Sequence, residues 1–433
     1  MHFFVQPGGN LSGSIRVPGD KSMSHRVIML GSIAEGKTEV SGFLEGEDAL
    51  ATLSAFREMG VIISDPQFGR LTIEGVGLGG LQPPNGIMDV GNSGTSIRLM
   101  AGLLAGQSFS STLTGDESLL RRPMGRVITP LTQMGALISS REGYPPLEIT
   151  GGRKLQGVHY ELPVASAQVK SSVLLAGLYA EGFTSVAEPA ATRDHTERML
   201  RGFGYPVHVA SGCIGVDGGG TLRGTTVDIP ADISSAAFFM VGASIAEGSD
   251  LVLEHVGINP TRDGVIRILR AMGADITMSN ERDVGGEPVA DLRIRSAPLR
   301  GIEIPVEEVP LAIDELPAIL IAAACAEGVT VLRGAEELRV KESDRIASMA
   351  EGLTRLGIRN SVYPDGIAVT GGDMRGGVIE THHDHRIAMS FAIAALRASD
   401  RIKVADCAHV ATSFPGFAAL ANRVGLRLEV AET

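Results

Sequence analysis

Two rhythms of apolar and polar positions alternate along this chain. One is a short strand, a polar turn, then a run of small apolar residues with no polar face. It occurs at Val17-Pro18, Asp89-Val90, Leu162-Pro163, Ile229-Pro230, Ile304-Pro305 and Glu380-Thr381. The runs Ser171 to Ala180, Ser234 to Ala246, Ala318 to Ala326 and Ala388 to Ala395 are mostly Ala, Ser, Leu and Ile. A helix apolar almost all round lies inside a fold, so these predict central helices with sheets outside them. The other rhythm is an amphipathic helix that stops on glycine and leads into a strand, at Gly60, Gly135, Gly204, Gly273, Gly357 and Gly425. Glycine just past the last helical turn is the expected left-handed stop.

The stops recur at intervals of roughly 70 residues, longer than common solenoid repeats, so each unit is expected to be a small βαβ-type fold of its own. Asp48 to Met59 is predicted as an amphipathic helix, with strands at Val61 to Ser64 and Leu71 to Glu74. Six units suggest two domains of three. No linker or low-complexity stretch marks where the chain crosses between them.

The polar turns share a chemistry. Pro18-Gly19-Asp20-Lys21-Ser22-Met23-Ser24-His25-Arg26 puts Lys21 and Arg26 at a strand-to-helix junction. Backbone N–H groups and the positive helix end gather at such a junction and favour an anion. Gly91-Asn92-Ser93-Gly94-Thr95-Ser96 lets backbone N–H groups approach an anion closely, with Arg98 behind it. In Arg122-Pro123, proline fits the first helical position and sets Arg122 at a helix entrance. Ser166-Ala167-Gln168-Val169-Lys170 supplies uncharged donors and Lys170, and Arg193 precedes another helix with His195 as a structural hydrogen-bonder. Asp314 and Glu315 stand before the run from Ala318 as helix caps or as a base facing cations.

Arg339-Val340-Lys341-Glu342-Ser343-Asp344-Arg345 is the densest charge cluster. Lys341 and Arg345 are i,i+4, a spacing that repels on a bare helix and becomes sensible with an anion between them. His382-His383-Asp384-His385-Arg386 raises a metal site. Alternate histidines in a tight turn diverge, so an anion-binding Arg386 among structural histidines is favoured and no metal is expected. The cations Lys21, Arg26, Arg122, Arg193, Lys341, Arg345 and Arg386 lie nearly all at junctions. This implies a deep site for a polyanionic small molecule or two anionic substrates.

Composition narrows the classes. The chain has 433 residues, 44% hydrophobic and 20% charged, enough for two or three domains. Trp is absent and aromatics are 4%, which disfavours base-stacking platforms, and the net charge of −12 argues against nucleic acid and anionic membranes. Cys213, Cys325 and Cys407 are far apart, with no metal-ligand spacing, and are expected as free thiols in a reducing compartment. The N-terminus shows no basic n-region, and the longest apolar run is too short to span a bilayer. A cytoplasmic protein is expected.

With these residues assembled, the chain resembles the EPSP synthase (3-phosphoshikimate 1-carboxyvinyltransferase) family over nearly its whole length. The resemblance rests on Pro18-Gly19-Asp20-Lys21-Ser22, Gly91-Asn92-Ser93-Gly94-Thr95, Arg122-Pro123-Met124, Leu338 to Arg345 and Asp384-His385-Arg386-Ile387-Ala388-Met389. It implies an α/β fold of two inside-out α/β barrels, each of three βαβαββ units. One domain would hold residues 21–232. The other would hold 1–20 plus 233–433, with hinges near Asp20 and Asp232 and the active site in the cleft between the domains. It implies transfer of the enolpyruvyl group of phosphoenolpyruvate to the 5-hydroxyl of shikimate 3-phosphate, by addition then elimination of phosphate. No cofactor, no nucleic acid and no membrane partner is expected, and a monomer is.

By the same resemblance, Asp314 takes the proton of the attacking hydroxyl, and Glu342 with Lys21 handles proton transfer at the methylene carbon. Lys21, Ser22, Arg26, Ser166, Ala167, Gln168, Arg193, Asp314 and Lys341 match positions around shikimate 3-phosphate. Lys21, Gly94, Arg122, Gln168, Glu342, Arg345 and Arg386 match those around phosphoenolpyruvate. Two features depart from the family's usual wording. Ala411-Thr412-Ser413-Phe414-Pro415 lacks the lysine that many members carry there. The turns at 20–26 and 166–168 look like the family's second class, often glyphosate-tolerant, yet Gly94 is kept, which leaves inhibitor response open. The rival is UDP-N-acetylglucosamine enolpyruvyl transferase, which typically uses Cys, or Asp in some members, in the loop where Asp116 stands here. A non-catalytic anion-binding module is a further alternative, and a nucleic-acid end-processing enzyme is a distant one.

Overall fold

The computed structural model describes residues 1–210 and 212–432. The chain divides into two compact units, one of Gly19–Ile229 and one of Met1–Pro18 with the chain from Pro230 onward.

In the unit Gly19–Ile229, three helices lie inside: Lys21–Ile33, Gly94–Ala105 and Ala167–Gly177. In Gly94–Ala105 only Thr95 and Arg98 are not buried. Small residues let such helices pack closely, and each fully buried Leu, Ile, Val or Met contributes about 1.5–3 kcal/mol. Outside them lie amphipathic helices Glu47–Glu58, Gly125–Gln133 and His195–Gly202. Three four-stranded sheets complete the unit, and they share one topology. Met88–Asp89 runs parallel to Ser111–Thr114, which pairs antiparallel with Tyr144–Thr150, which pairs antiparallel with Leu137–Arg141. His159–Glu161 begins the same series with Phe183–Ala187. The remaining sheet is closed by the end of the unit: Thr226–Asp228 runs parallel to Glu35–Ser41, with Asp228 opposite Ser41.

The other unit repeats the plan with inner helices Ile233–Ile245, Leu316–Ala324 and His385–Ala394, in which every residue is buried. Its outer helices are Gly264–Ala271, Arg345–Arg355 and Phe417–Val424. The N-terminal strands complete sheets built far along the chain. His2–Val5 sits between Ile402–Ala405 and Leu428–Ala431, and Ser12–Ile15 lies parallel to Asp250–Gly257. One sheet has three strands, Val329–Leu332, Gly366–Thr370 and Asn360–Tyr363, with a single bridge from Glu303 to Val331 at the fourth place.

The fold is thus two sets of three βαβαββ units, helices inside and sheets outside within each set. All six stopping glycines have positive φ, from 78° at Gly204 to 121° at Gly425. At each, the glycine N–H bonds the carbonyl three residues back, as from Gly60 to Arg57 and from Gly357 to Thr354. The longest interval, Gly273 to Gly357, holds a hairpin of long strands, Asp275–Val284 and Glu287–Arg295, and an extra 3₁₀ turn at Val306–Glu308. Among the described residues, no helix is long and apolar enough to cross a membrane, and all three cysteines are free thiols.

Candidate functional site

In the unit Gly19–Ile229, Asp20 caps the first inner helix by accepting the Met23 N–H at 2.8 Å. This fixes Lys21 as the first helical residue, and its ammonium pairs with the buried carboxylate of Asp48. Asp48 is the second residue of the neighbouring helix Glu47–Glu58 and was not legible as a partner, because an acid at a helix start reads as a dipole cap. Arg26 lies five residues on and is 3% exposed. It donates to Ser22 O at 2.9 Å, Thr196 Oγ1 at 2.7 Å and Ser171 Oγ at 2.9 Å, tying three helices together.

Between these cations His25 is buried against hydroxyls, with Nδ1 2.9 Å from Thr52 Oγ1 and 3.2 Å from Ser96 Oγ. Burial, and then the neighbouring Lys21 and Arg26, hold its pKa well below the usual histidine range.

Ser93 Oγ caps the helix Gly94–Ala105 by accepting the Ser96 N–H, so Gly94 opens that helix. A Cβ on Gly94 would stand 2.8 Å from Arg98 NH1 and 3.0 Å from Arg122 NH1. The glycine leaves room for two guanidiniums. Arg122 does not enter a helix through Pro123 as the sequence suggested. It ends a 3₁₀ turn at Leu119–Arg121, and the next helix begins only at Gly125. Its NH2 donates to Asn92 Oδ1 at 2.5 Å and to Ser118 Oγ at 3.2 Å, which aims it across the Gly91 turn.

Ser166 caps the third inner helix, which Ala167 opens. Gln168 is held from both sides, its Oε1 accepting from Arg98 NH1 at 2.7 Å and its Nε2 donating to Thr95 Oγ1 at 3.0 Å. Arg193 is half-buried in the connection before His195–Gly202. Lys170 is not an open cation. It is 1% exposed and pairs with Glu188 at 3.0 Å and Glu197 at 2.7 Å, a structural knot that charge spacing does not distinguish from a binding residue.

The second unit gathers its residues more tightly. Asp314 Oδ1 is 3.2 Å from Arg345 NH1 and 3.7 Å from Lys341 Nζ. Arg345 NH2 pairs with Glu342, and its Nε donates to Asp384 Oδ2 at 2.8 Å. Arg386 donates its backbone N–H to Asp384 Oδ1 at 2.9 Å and its NH1 to the Asp314 carbonyl at 3.0 Å. Asp314, Lys341, Glu342, Asp384 and Arg386 therefore form one cluster around Arg345.

Lys341 and Arg345 do not share a helical face, since Asp344 caps the helix by accepting the Ala347 N–H and so starts it at Arg345. The anion that relieves their like charges here is the Asp314 carboxylate. Burial opposes the charge on Arg345, but Asp384, Glu342 and Asp314 overcome it and raise its pKa above the usual arginine value. Burial likewise pushes the Asp384 carboxyl up, but Arg345 prevails and the net shift is downward. Glu315 diverges from Asp314. It is buried beside Arg262, which also donates to Asp232 at 3.2 Å and Ser234 Oγ at 2.7 Å.

Chemically, the cluster offers carboxylates beside fixed cations, the arrangement that moves protons near phosphate or carboxylate ligands. Asp116 is already committed: its Oδ1 accepts from the Leu119 N–H and its Oδ2 from Asn92, both at 2.8 Å. That is a structural cap rather than an available acid.

Residues 5–420 match the family model described as EPSP synthase (3-phosphoshikimate 1-carboxyvinyltransferase). The chain is 66% identical over 430 residues to the 3-phosphoshikimate 1-carboxyvinyltransferase of Alkalilimnicola ehrlichii, covering 99% of this chain and 96% of that one. To the protein of the same name from Methylococcus capsulatus it is 65% identical, covering 99% and 98%. The solved structure of an EPSP synthase from Acinetobacter baumannii superposes with a TM-score of 0.90 at 59% identity, over 100% of both chains.

Proposed function

The chain belongs to the EPSP synthase (3-phosphoshikimate 1-carboxyvinyltransferase) family, and from that premise we propose how its residues divide the work. The reaction transfers the enolpyruvyl group of phosphoenolpyruvate to the 5-hydroxyl of shikimate 3-phosphate and releases phosphate, a step of the shikimate pathway to aromatic amino acids.

Asp314 takes the proton of the attacking hydroxyl. Glu342, with Lys21, delivers a proton to the methylene carbon of phosphoenolpyruvate and removes one from the resulting methyl group as phosphate leaves. Lys21, Ser22, Arg26, Ser166, Ala167, Gln168, Arg193, Asp314 and Lys341 hold shikimate 3-phosphate. Lys21, Gly94, Arg122, Gln168, Glu342, Arg345 and Arg386 hold phosphoenolpyruvate, with paired guanidiniums on its carboxylate and phosphate. Residues 21–232 act as one domain and 1–20 plus 233–433 as the other. The cation sets of both serve one reaction, in a cytoplasmic monomer.

The observation that carries this reading is the cluster in which Asp314 and Glu342 both contact Arg345, with Lys341 beside Asp314. A carboxylate so placed can exchange a proton next to an anionic substrate whose charge the cations offset. The test is phosphate release from phosphoenolpyruvate with shikimate 3-phosphate, run beside UDP-N-acetylglucosamine. Release with shikimate 3-phosphate alone is expected, and release with the sugar nucleotide alone would overturn the substrate assignment.

A further inference from the structure

Away from the cluster around Arg345, three side chains converge without a role in the reaction. His383 Nδ1 lies 2.5 Å from Asp406 Oδ2 and 3.0 Å from His409 Nε2. The two imidazoles meet edge to face, with centroids 5.0 Å apart and planes at 86°. Among the described residues, this is the one group of three His, Cys, Asp or Glu ligand atoms lying within 4.8 Å of one another. The sequence pointed at the histidines of 382–385 but missed this group. Its other members come from the strand end at Asp406 and the 3₁₀ turn Ala408–Thr412, far along the chain.

The backbone beneath the group is strained. His382, His383 and Asp406 have φ of 52°, 60° and 53°, the left-handed region that non-glycine residues enter at a cost. Two further bonds hold the strain in place. The Asp384 N–H bonds Thr381 O at 3.0 Å, closing the turn, and Thr381 Oγ1 donates to Asp406 O at 2.9 Å, tying the turn to the neighbouring strand end. In this conformation His383 lies against both Asp406 and His409.

Electrostatics then favours a cation. The Nδ1 of His383 carries at most one proton, and that proton can point squarely at only one of its two neighbours. Ligand atoms bound to zinc at about 2.0–2.1 Å stand about 3.3 Å apart in a tetrahedral site. The two separations from His383 Nδ1, 2.5 and 3.0 Å, fall short of that value by less than about 1 Å each, and all three ligand atoms lie within 4.8 Å of one another. The His383 side chain is 68% exposed and that of Asp406 is 40% exposed, so an ion has free access.

We propose that His383, Asp406 and His409 form a binding site for a divalent transition-metal ion of the zinc type. Two imidazoles and a carboxylate suit such a borderline ion, with a fourth position left to water. None of the three has a part in the reaction, but their turn leads directly into Asp384 and Arg386. An ion there braces the turn that positions them.

The test uses the full chain, free of any histidine tag, with zinc chloride titrated calorimetrically and magnesium chloride in parallel. One zinc per chain is expected, with micromolar or tighter affinity, a raised melting temperature and no binding of magnesium, which prefers an all-oxygen shell. H409A, a change at a half-buried residue given no part in the reaction, is expected to weaken zinc at least tenfold while keeping wild-type melting without metal. H383N is expected to do the same. Absence of zinc binding in the wild type, equal binding in both variants, or equal binding of magnesium would overturn the site.

Discussion

Asp384→Asn isolates one charge in the Arg345 cluster. Asparagine caps helices about as well as aspartate, so the helix His385–Ala394 keeps its N-cap at Oδ1, while at Oδ2 the negative charge and the acceptor facing Arg345 Nε and Ser343 Oγ are lost. Arg345 is 1% exposed and leans on three carboxylates: Asp384 at 2.8 Å, Asp314 at 3.2 Å, and Glu342. Removing one partner of a buried ion pair costs about 3–5 kcal/mol when it leaves the other charge uncompensated. Two carboxylates remain here, so the expected loss is about 1.5–3 kcal/mol, the range of a hydrogen bond to a charged group. For a unit of roughly 200 residues that lowers the melting temperature by about 3–12 °C. Arg345 then loses its anchor at Nε, and KM for phosphoenolpyruvate is expected to rise about tenfold, equivalent to about 1.4 kcal/mol. Differential scanning fluorimetry and steady-state phosphate release read the two effects. A variant that melts within about 1 °C of wild type with an unchanged KM would refute the claim that Asp384 holds Arg345 in place.

Other expectations follow from the unit Gly19–Ile229. Gly94→Ala puts a methyl group 2.8–3.0 Å from the tips of Arg98 and Arg122. These tips can yield, so stability should change by less than about 1 kcal/mol while KM for phosphoenolpyruvate rises several-fold, about 1 kcal/mol; a large drop in melting temperature with normal KM would contradict this. His25 stays neutral in the folded protein to well below its ordinary pKa, so the unfolded chain binds the proton first as pH falls. Its contribution is intact above about pH 6.5 and declines below it by at most about 1.4 kcal/mol per pH unit. His25→Gln should flatten that part of the stability–pH curve measured by urea unfolding. Lys170→Met leaves Glu188 and Glu197 buried without their cation and should destabilise by about 3–5 kcal/mol. Unfolding by urea checks it, and an unchanged midpoint would contradict the structural role.

Much of this architecture was legible because the signals were local and repeated. The glycine stops demand a left-handed residue whatever packs around them, and the inner helices are apolar on nearly every face beyond their first two turns, so neither reading depends on distant contacts. What escaped the sequence was pairing. Lys21 and Asp48, Arg345 and Asp384, and Lys170 with Glu188 and Glu197 are each joined by folding rather than by spacing. Lys170 looked like a site cation because charge type alone does not report whether a buried partner waits for it. The shared helical face expected of Lys341 and Arg345 failed for a reason that was in the sequence: Asp344 is a strong N-cap and begins the helix after Lys341. Asp314 and Glu315 are adjacent in sequence and diverge in space, one toward Arg345 and the other toward Arg262.

The most direct test of the proton-transfer assignment is Asp314→Asn, with shikimate 3-phosphate binding measured calorimetrically and turnover measured by phosphate release on the same preparation. If Asp314 accepts the hydroxyl proton, kcat should fall at least about a hundredfold while the dissociation constant of shikimate 3-phosphate moves only a few-fold. Turnover near the wild-type rate, or a loss of binding that accounts for the whole loss of rate, would contradict that role.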